Sequence, residues 1–266
     1  MQSKKQRLID YYFNQKLSQS QTANKMGISR SRVGQLIKEY GMSSREYAEA
    51  SSNTNNQKTI EFNDHQKDLM FGSMLGDAGY YKTTMRSNKT NKELEVIRMT
   101  FAHSIKQYEY LLHKKEIMGG TKIGERISGH GSIIKHFSVC HTPSLKPYVD
   151  YFLDENNKKS VKRNWVEKLN WRSIAYWFMD DGDLIIRNKG KNPVIGFHTE
   201  SFNQHELRIL RDKLLEFGLT TSTRICNKDP NQLKIVSKHY KEVAGFLEKM
   251  KEFIIPTMEY KIRWIL

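Results

Sequence analysis

Cysteine is nearly absent, and long apolar runs are absent altogether. Only Cys140 and Cys226 occur in 266 residues; they are far apart and fit no metal-ligand spacing, which excludes a disulfide framework and leaves both as reduced thiols. The nine histidines are scattered, so a zinc-type cluster is not expected. No stretch reaches the roughly 18 apolar residues of a membrane-spanning helix. The N-terminal MQSKKQRLIDYYFNQ also lacks the apolar centre of a secretory signal. A cytoplasmic protein with no membrane partner is therefore expected. Negative charge is in short supply: 29 Asp plus Glu face 44 Lys plus Arg, for a formal net charge of +15. Such an excess favours a polyanionic partner, nucleic acid first, because each cation that neutralises a phosphate releases condensed counterions. A ribosomal or merely soluble basic protein carries similar charge, so the balance alone does not decide. The hydrophobic content, 38% with 11% aromatic, suffices for real cores and excludes a disordered tail.

Residues 1–46 read as a small all-α unit. In QSQTANKMGISRSRVGQLIKEYGM, Ala23, Gly27, Ile28, Val33 and Leu36 stand where a helix-turn-helix needs a small contact residue, a turn glycine and core apolar groups. The second helix is predicted to start after Ser29 as N-cap. It would present Arg30, Ser31, Arg32, Gln35 and Lys38, side chains suited to phosphates and base edges. A plain helical hairpin with a solvated basic face satisfies the same pattern; the overall charge favours DNA contact. Residues 47–62, rich in Ser, Asn and Thr, read as a linker.

Beyond the linker the periodicity gives helix, strand, strand, helix, strand, strand, helix, and then the same order again. Asn63 with Gln66, and Asn203 with Glu206, are predicted capping boxes. The first helix closes on GSMLGDAG and its counterpart on YWFMDDG. Asp77 and Asp181 take equivalent places, 104 residues apart by subtraction of their numbers. If the two helices pack side by side about a pseudo-two-fold axis, with Gly72, Ser73 and Gly76 allowing close approach, their acidic ends meet. Two carboxylates at the negative end of helix dipoles repel one another unless a cation joins them. Hard oxygen ligands favour Mg²⁺, with Mn²⁺ as a substitute. A basic chain holding such a site is arranged to hydrolyse phosphodiesters. The competing reading, that Asp77, Asp180, Asp181 and Asp183 merely end helices in solvent, is weakened by the repeat.

The motifs FGSMLGDAG and IAYWFMDDG, with NNKKSV before the second, HTESFNQHEL after it and IIPTMEYKI near the end, resemble the LAGLIDADG homing endonucleases of the single-chain, intron-encoded type. The resemblance covers residues 63 to about 263. It implies an α+β fold: a pseudo-two-fold pair of αββαββα subdomains, residues 63–155 and 156–266, forming a DNA-binding saddle beside the N-terminal helix-turn-helix. It also implies metal binding at Asp77 and Asp181, with Lys159 and Lys261 as catalytic accessories. Lys158 and Lys162 are close neighbours of the first lysine. Asp180 falls at a variable position, as support or as a DNA-proximal charge. Ala78 departs from the usual glycine, and its small side chain keeps the close packing possible.

Period-two alternation on the implied sheets gives Tyr81, Lys82, Arg86, Arg98, Lys122, Arg126, Lys135, Arg187, His198, Arg224 and Lys234 as DNA-side candidates, with faces that swap on a one-residue slip. Tyr80, Tyr176 and Trp177 are expected in the core. The expected function is a monomeric, site-specific nuclease that makes Mg²⁺-dependent double-strand cuts in a long duplex target and promotes mobility of its intron or gene. The expected setting is the nucleoid of a phage or bacterial host. Two other readings use the same basic surface: a DNA-binding regulator without activity, and a maturase with intron RNA as partner.

Overall fold

The computed structural model describes residues 3–15, 17–42, 60–86, 93–187, 192–226 and 229–266. Most of the predicted linker, residues 47–59, lies outside them. The chain divides into two compact units, the smaller built on residues 1–60 with segments 84–95 and 141–144, the larger on the rest. No helix among the described residues is long and apolar enough to cross a membrane.

In the smaller unit, α1 (Lys4–Leu8) continues into a π-helical turn, Ile9–Asn14, and is followed by α2 (Gln19–Met26) and α3 (Arg30–Glu39). Each start has its serine. Ser3, Ser18 and Ser29 accept from the backbone N–H of Gln6, Gln21 and Arg32, satisfying donors that a helix start otherwise orphans. Gly27 ends α2 at φ +67°, a left-handed cap open to glycine at no steric cost. Ala23, Val33 and Leu36 join Leu8, Tyr12 and Ile37 in a buried cluster, with Ile28 packed against it. The helix-turn-helix pattern thus has its own core.

The larger unit repeats one motif. Its first half runs α4 (Asp64–Leu75), β1 (Ala78–Arg86), β2 (Glu93–Ser104), α5 (Tyr108–Met118), β3 (Gly124–Ile127) and β4 (Ile133–Val139). Its second half runs α6 (Trp171–Asp181), β5 (Gly182–Arg187), β6 (Asn192–Phe197), α7 (Gln204–Glu216), β7 (Thr221–Cys226), β8 (Asp229–Ser237) and α8 (Tyr240–Lys251). The sheets have matching strand orders, β1-β2-β4-β3 and β5-β6-β8-β7. Both predicted capping boxes form, Asn63 with Gln66 and Asn203 with Glu206.

Two elements differ from the sequence reading. The strand expected over TKIGERI is confined to Gly124–Ile127. The helix expected over SLKPYVDYF is broken into single turns, Thr142–Leu145 and Val149–Phe152, around a 3-10 turn holding Pro147. Proline has no N–H to continue an α-helical ladder.

Alternation along β2 sends Ile97, Met99, Phe101 and His103 into the interior. Phe101 stands opposite Phe137 of β4 with stacked rings 5.0 Å apart. In the second sheet Ile195, Phe197 and Ile235 do the same. Tyr80, Tyr176 and Trp177 are buried, and one continuous core unites both halves.

The axis of the larger unit is the contact between α4 and α6. A Cβ added at Gly72 would lie 2.1 Å from the Ser173 carbonyl oxygen, and one at Gly76 would lie 2.4 Å from Cβ of Asp180. Only glycine lets the two backbones come this close. Trp165 donates its indole N–H to the Phe71 carbonyl at 3.2 Å. At the helix starts, Asp68 accepts from Asn170 at 2.7 Å and from Arg172 at 3.1 Å. These polar ties at one end fix the register that brings the acidic residues together at the other.

Candidate active site

Asp77 follows the α4 cap residue Gly76, and Asp181 is the last residue of α6. Their environments differ. Burial alone would raise Asp77, but a hydrogen bond and charge from His103, with Lys114 and Lys261 nearby, bring its carboxyl below the ordinary range. Its Oδ2 lies 3.3 Å from His103 Nδ1. Asp181 has no such relief. Burial, then the charges of Asp77 and Asp180, push its carboxyl up to about 7 despite Lys159 and Lys261. Like charges crowded in a partly desolvated site oppose ionisation in this way.

Each accessory lysine reaches a helix end. Lys159 donates to the carbonyls of Met74 at 3.1 Å and Gly76 at 3.4 Å. Lys261 donates to the carbonyls of Phe178 at 3.2 Å, Met179 at 2.6 Å, Asp180 at 3.2 Å and Gly182 at 2.9 Å. The last carbonyls of a helix have no intrahelical partner and carry its negative pole, so both ammonium groups serve as C-terminal caps. Burial lowers the pKa of each, and the surrounding carboxylates work against that shift. Of the neighbouring lysines, Lys162 is turned elsewhere, donating to Asp150 at 2.8 Å and to Leu153.

Asp180 is not a DNA-proximal charge. Its side chain is fully buried and ion-paired with Lys114 at 2.6 Å. Oδ1 also accepts from the Tyr110 hydroxyl at 2.7 Å, and Oδ2 accepts from the Asp77 backbone N–H at 3.3 Å. A carboxylate can be buried only when paired and fully hydrogen-bonded. Here the pairing fixes the backbone that carries Asp77. Tyr110 is correspondingly raised well above its usual range by burial and by Asp180.

His103, Tyr110 and Lys114 were missed from the sequence. His103 had a usable signal, because it shares the parity of the core-facing Ile97, Met99 and Phe101. Donor atoms of Asp77, His103 and Asp180 lie within 4.8 Å of one another.

The DNA-side candidates separate by face. Tyr81 and Arg98 share the face of the first sheet turned away from its core, the guanidinium 5.2 Å from the ring centroid. Arg126 pairs with Ile134, which pairs with Ser104, placing it on that same face. Lys122 is exposed in the turn before β3. Lys82 alternates with Tyr81 and so points to the opposite side. Lys135 is also a correction: it is the register partner of the buried His103 and ion-pairs with Glu125. Its neighbour His136 takes the outward face instead. In the second sheet Arg224 and Lys234 are register partners on the outward face. Lys234 is tied to Asp183 at 2.7 Å and lies 3.3 Å from His198 Nε2. The side chains of Arg86 and Arg187 lie outside the described residues. In α3, Arg30, Arg32, Gln35 and Lys38 are exposed, with Arg32 paired to Glu39 at 2.7 Å.

Two acid-terminated helices packed through glycines, each followed by an antiparallel sheet, form a recognisable constellation. Residues 67–241 match the LAGLIDADG DNA endonuclease family. The chain belongs to that family. Residues 4–41 match a helix-turn-helix domain. The probable intron-encoded endonuclease 1 of Wickerhamomyces canadensis is 30% identical over 210 residues, covering 74% of this chain and 83% of that one. The DNA endonuclease I-ChuI of Chlamydomonas applanata is 29% identical over 215 residues, covering 74% and 94%. Among solved structures, the homing endonuclease I-WcaI bound to its DNA recognition sequence superposes with a TM-score of 0.63 at 25% identity, covering 86% of this LAGLIDADG chain and 96% of its own.

Proposed function

We propose that this chain is a site-specific homing endonuclease that cuts both strands of a long duplex target and promotes mobility of its intron or gene. The observation that carries the reading is that Asp77 and Asp181 stand at the ends of two helices packed to backbone contact, near enough for the charge of Asp77 to act on Asp181. Family membership and the basic charge of +15 support duplex DNA as the substrate.

The donor set suits a divalent metal. Asp77 and Asp181 offer hard oxygens, and Asp181 is displaced upward to about 7 by burial and then by the charges of Asp77 and Asp180, a crowding of carboxylates that a cation relieves. Asp77 and Asp181 would hold Mg²⁺, with Mn²⁺ as a substitute. When bound, such an ion lowers the pKa of its water and offsets charge on the leaving oxygen. The chain's own part is positional. Asp180, clasped by Lys114 and Tyr110, holds the Asp77 backbone. Lys159 and Lys261 neutralise the two helix poles and contribute positive charge where phosphate charge develops.

We divide the chain into a helix-turn-helix domain (1–46), a linker (47–62) and two LAGLIDADG subdomains (63–155 and 156–266), acting as a monomer. The exposed face of α3 extends the DNA footprint, which deletion of residues 1–46 tests by footprinting. The central test is Mg²⁺-dependent cleavage of a randomised duplex library by the natural chain, Asp77→Asn and Asp181→Asn. Specific double-strand cuts lost in both variants support the reading. Selective binding without cuts in the natural chain refutes it in favour of a regulator.

A further inference from the structure

Near its end β2 turns a polar residue inward. His103 has the parity of Ile97, Met99 and Phe101, and like them it is buried. An apolar side chain would fill that place without taking ring nitrogens out of water. Half of the imidazole gains nothing from the move, since Nε2 has no hydrogen-bond partner. The other half accounts for the residue. Nδ1 lies 3.3 Å from Asp77 Oδ2 and 3.3 Å from Gln107 Oε1. Gln107 in turn donates to the Tyr260 hydroxyl at 3.3 Å, next in sequence to Lys261. The His103 side chain is fully buried, whereas that of Asp77 is 37% exposed, so a group locked in the core touches one oxygen of a carboxylate that is partly in water. On its far side Nε2 lies 3.9 Å from Asp180 Oδ1. A ring that meets two acids through different nitrogens stands between them and is not placed to share one ion with both.

The repeat does not supply this group twice. Phe101 of β2 pairs with Phe137, and Phe197 of β6 pairs with Ile235, at matching places in the two sheets. Two residues beyond Phe101 stands His103; two beyond Phe197 stands Thr199. Thr199 is also fully buried, but its hydroxyl donates to the Leu233 carbonyl at 2.9 Å and accepts from the Ile235 N–H at 3.1 Å. Both partners lie on β8, so Thr199 serves its own sheet and gives Asp181 nothing.

We propose that His103 is a positioning residue for Asp77, which holds one carboxylate oxygen and leaves the other to take the metal, so that the first acid is set in advance and the second is not. The inference rests on the metal-dependent endonuclease reading above. Fixing a rotatable carboxylate beforehand removes an ordering cost that binding would otherwise carry. Partners that orient a ligand in this way are typically worth about 10- to 100-fold in metal affinity.

The test titrates Mg²⁺, and separately Mn²⁺, into the full chain without DNA and follows the thermal midpoint. The readout is the ion concentration at which the midpoint begins to rise, because that onset reports affinity, whereas lost packing lowers the metal-free midpoint itself. His103→Leu should raise the onset about 10- to 100-fold. The amide of asparagine reaches the place of Nδ1, and that of the longer glutamine the place of Nε2. His103→Asn should therefore restore the natural onset and His103→Gln should not. Thr199→Val, the matching change in the second half, should cost stability and leave the onset where it was. The comparison of asparagine with glutamine decides the matter even if His103→Leu misfolds. An onset unmoved by His103→Leu, or equal onsets for His103→Asn and His103→Gln, overturns this inference alone. A natural chain whose midpoint responds to neither ion overturns the metal site on which it rests.

Discussion

Removing the ammonium group from Lys114 should be among the most damaging single changes in the larger unit. The structure shows why. Lys114 and Asp180 are both fully buried at a separation of 2.6 Å. In Lys114→Met the carboxylate would keep the Tyr110 hydroxyl and the Asp77 N–H as hydrogen-bond donors, with His103 Nε2 at 3.9 Å, and would lose the one cation in direct contact with it in a place that water cannot reach. Breaking a buried pair from one side costs about 3–5 kcal/mol, roughly a fifth or more of a typical total stability of roughly 5–15 kcal/mol. Asp180→Asn alone strands the lysine and should cost a similar amount. The double variant Lys114→Met with Asp180→Asn leaves no unpaired charge, so its cost should fall below the sum of the singles by more than about 1 kcal/mol. Urea unfolding followed by the fluorescence of the buried Trp165 and Trp177 measures all three. Additive losses, or a Lys114→Met cost below about 1 kcal/mol, would show that water reaches Asp180 and that the pair does not anchor Asp77.

Three further outcomes follow from the site and its helix pair. Gly72→Ala places a Cβ 2.1 Å from a backbone carbonyl and should destabilise by about 3 kcal/mol or more, beyond ordinary overpacking, visible as a large drop in thermal midpoint. Lys261→Met removes four carbonyl contacts and Lys159→Met only two; both should lower kcat, and the first should also reduce the thermal midpoint more. In metal-free buffer Asp181→Asn removes one of the crowded carboxylates and should raise the thermal midpoint above that of the natural chain. Added Mg²⁺ should then stabilise the natural chain and not the variant, and an equal Mg²⁺ response in both would refute the assignment of Asp181 as a ligand.

Local signals carried far in this sequence. Ser29, Asn63 and Asn203 announce their helices because short-range backbone satisfaction does not depend on the rest of the fold. The acid pair was legible because the repeat places Asp77 and Asp181 at the same point of the same motif. The partners of Asp180 were not, since Tyr110 and Lys114 come from a helix about 70 residues away, and in sequence they look like solvated polar positions. Lys135 lies on the side opposite to the expected one for a different reason: strand parity is exact in a sheet, but the first residue of β4 cannot be read from SIIKHFSVC, and one step exchanges Lys135 with His136.

The same clasp explains why the two halves cannot be identical at their axis. Gly76 and Asp180 are equivalent positions, 104 apart like Asp77 and Asp181, and they face each other so closely that a Cβ at Gly76 would meet Cβ of Asp180 at 2.4 Å. Two aspartates there would clash and repel, and two glycines would leave the Asp77 N–H without its acceptor. One of each satisfies both constraints, provided that the single carboxylate has a buried cation. Counting from the first helical residue, Lys114 is seventh in α5 and Leu210 is seventh in α7, and both are fully buried. The fold therefore reserves this place for an apolar side chain, and lysine stands in α5 because only that copy faces Asp180. Gly76→Asp with Leu210→Lys, an attempt to restore symmetry, should fail to fold even though it supplies a cation for each acid, because the backbone separation set by Gly72 leaves no room for a second carboxylate. A folded, cleaving double variant would show that charge, not space, had broken the symmetry.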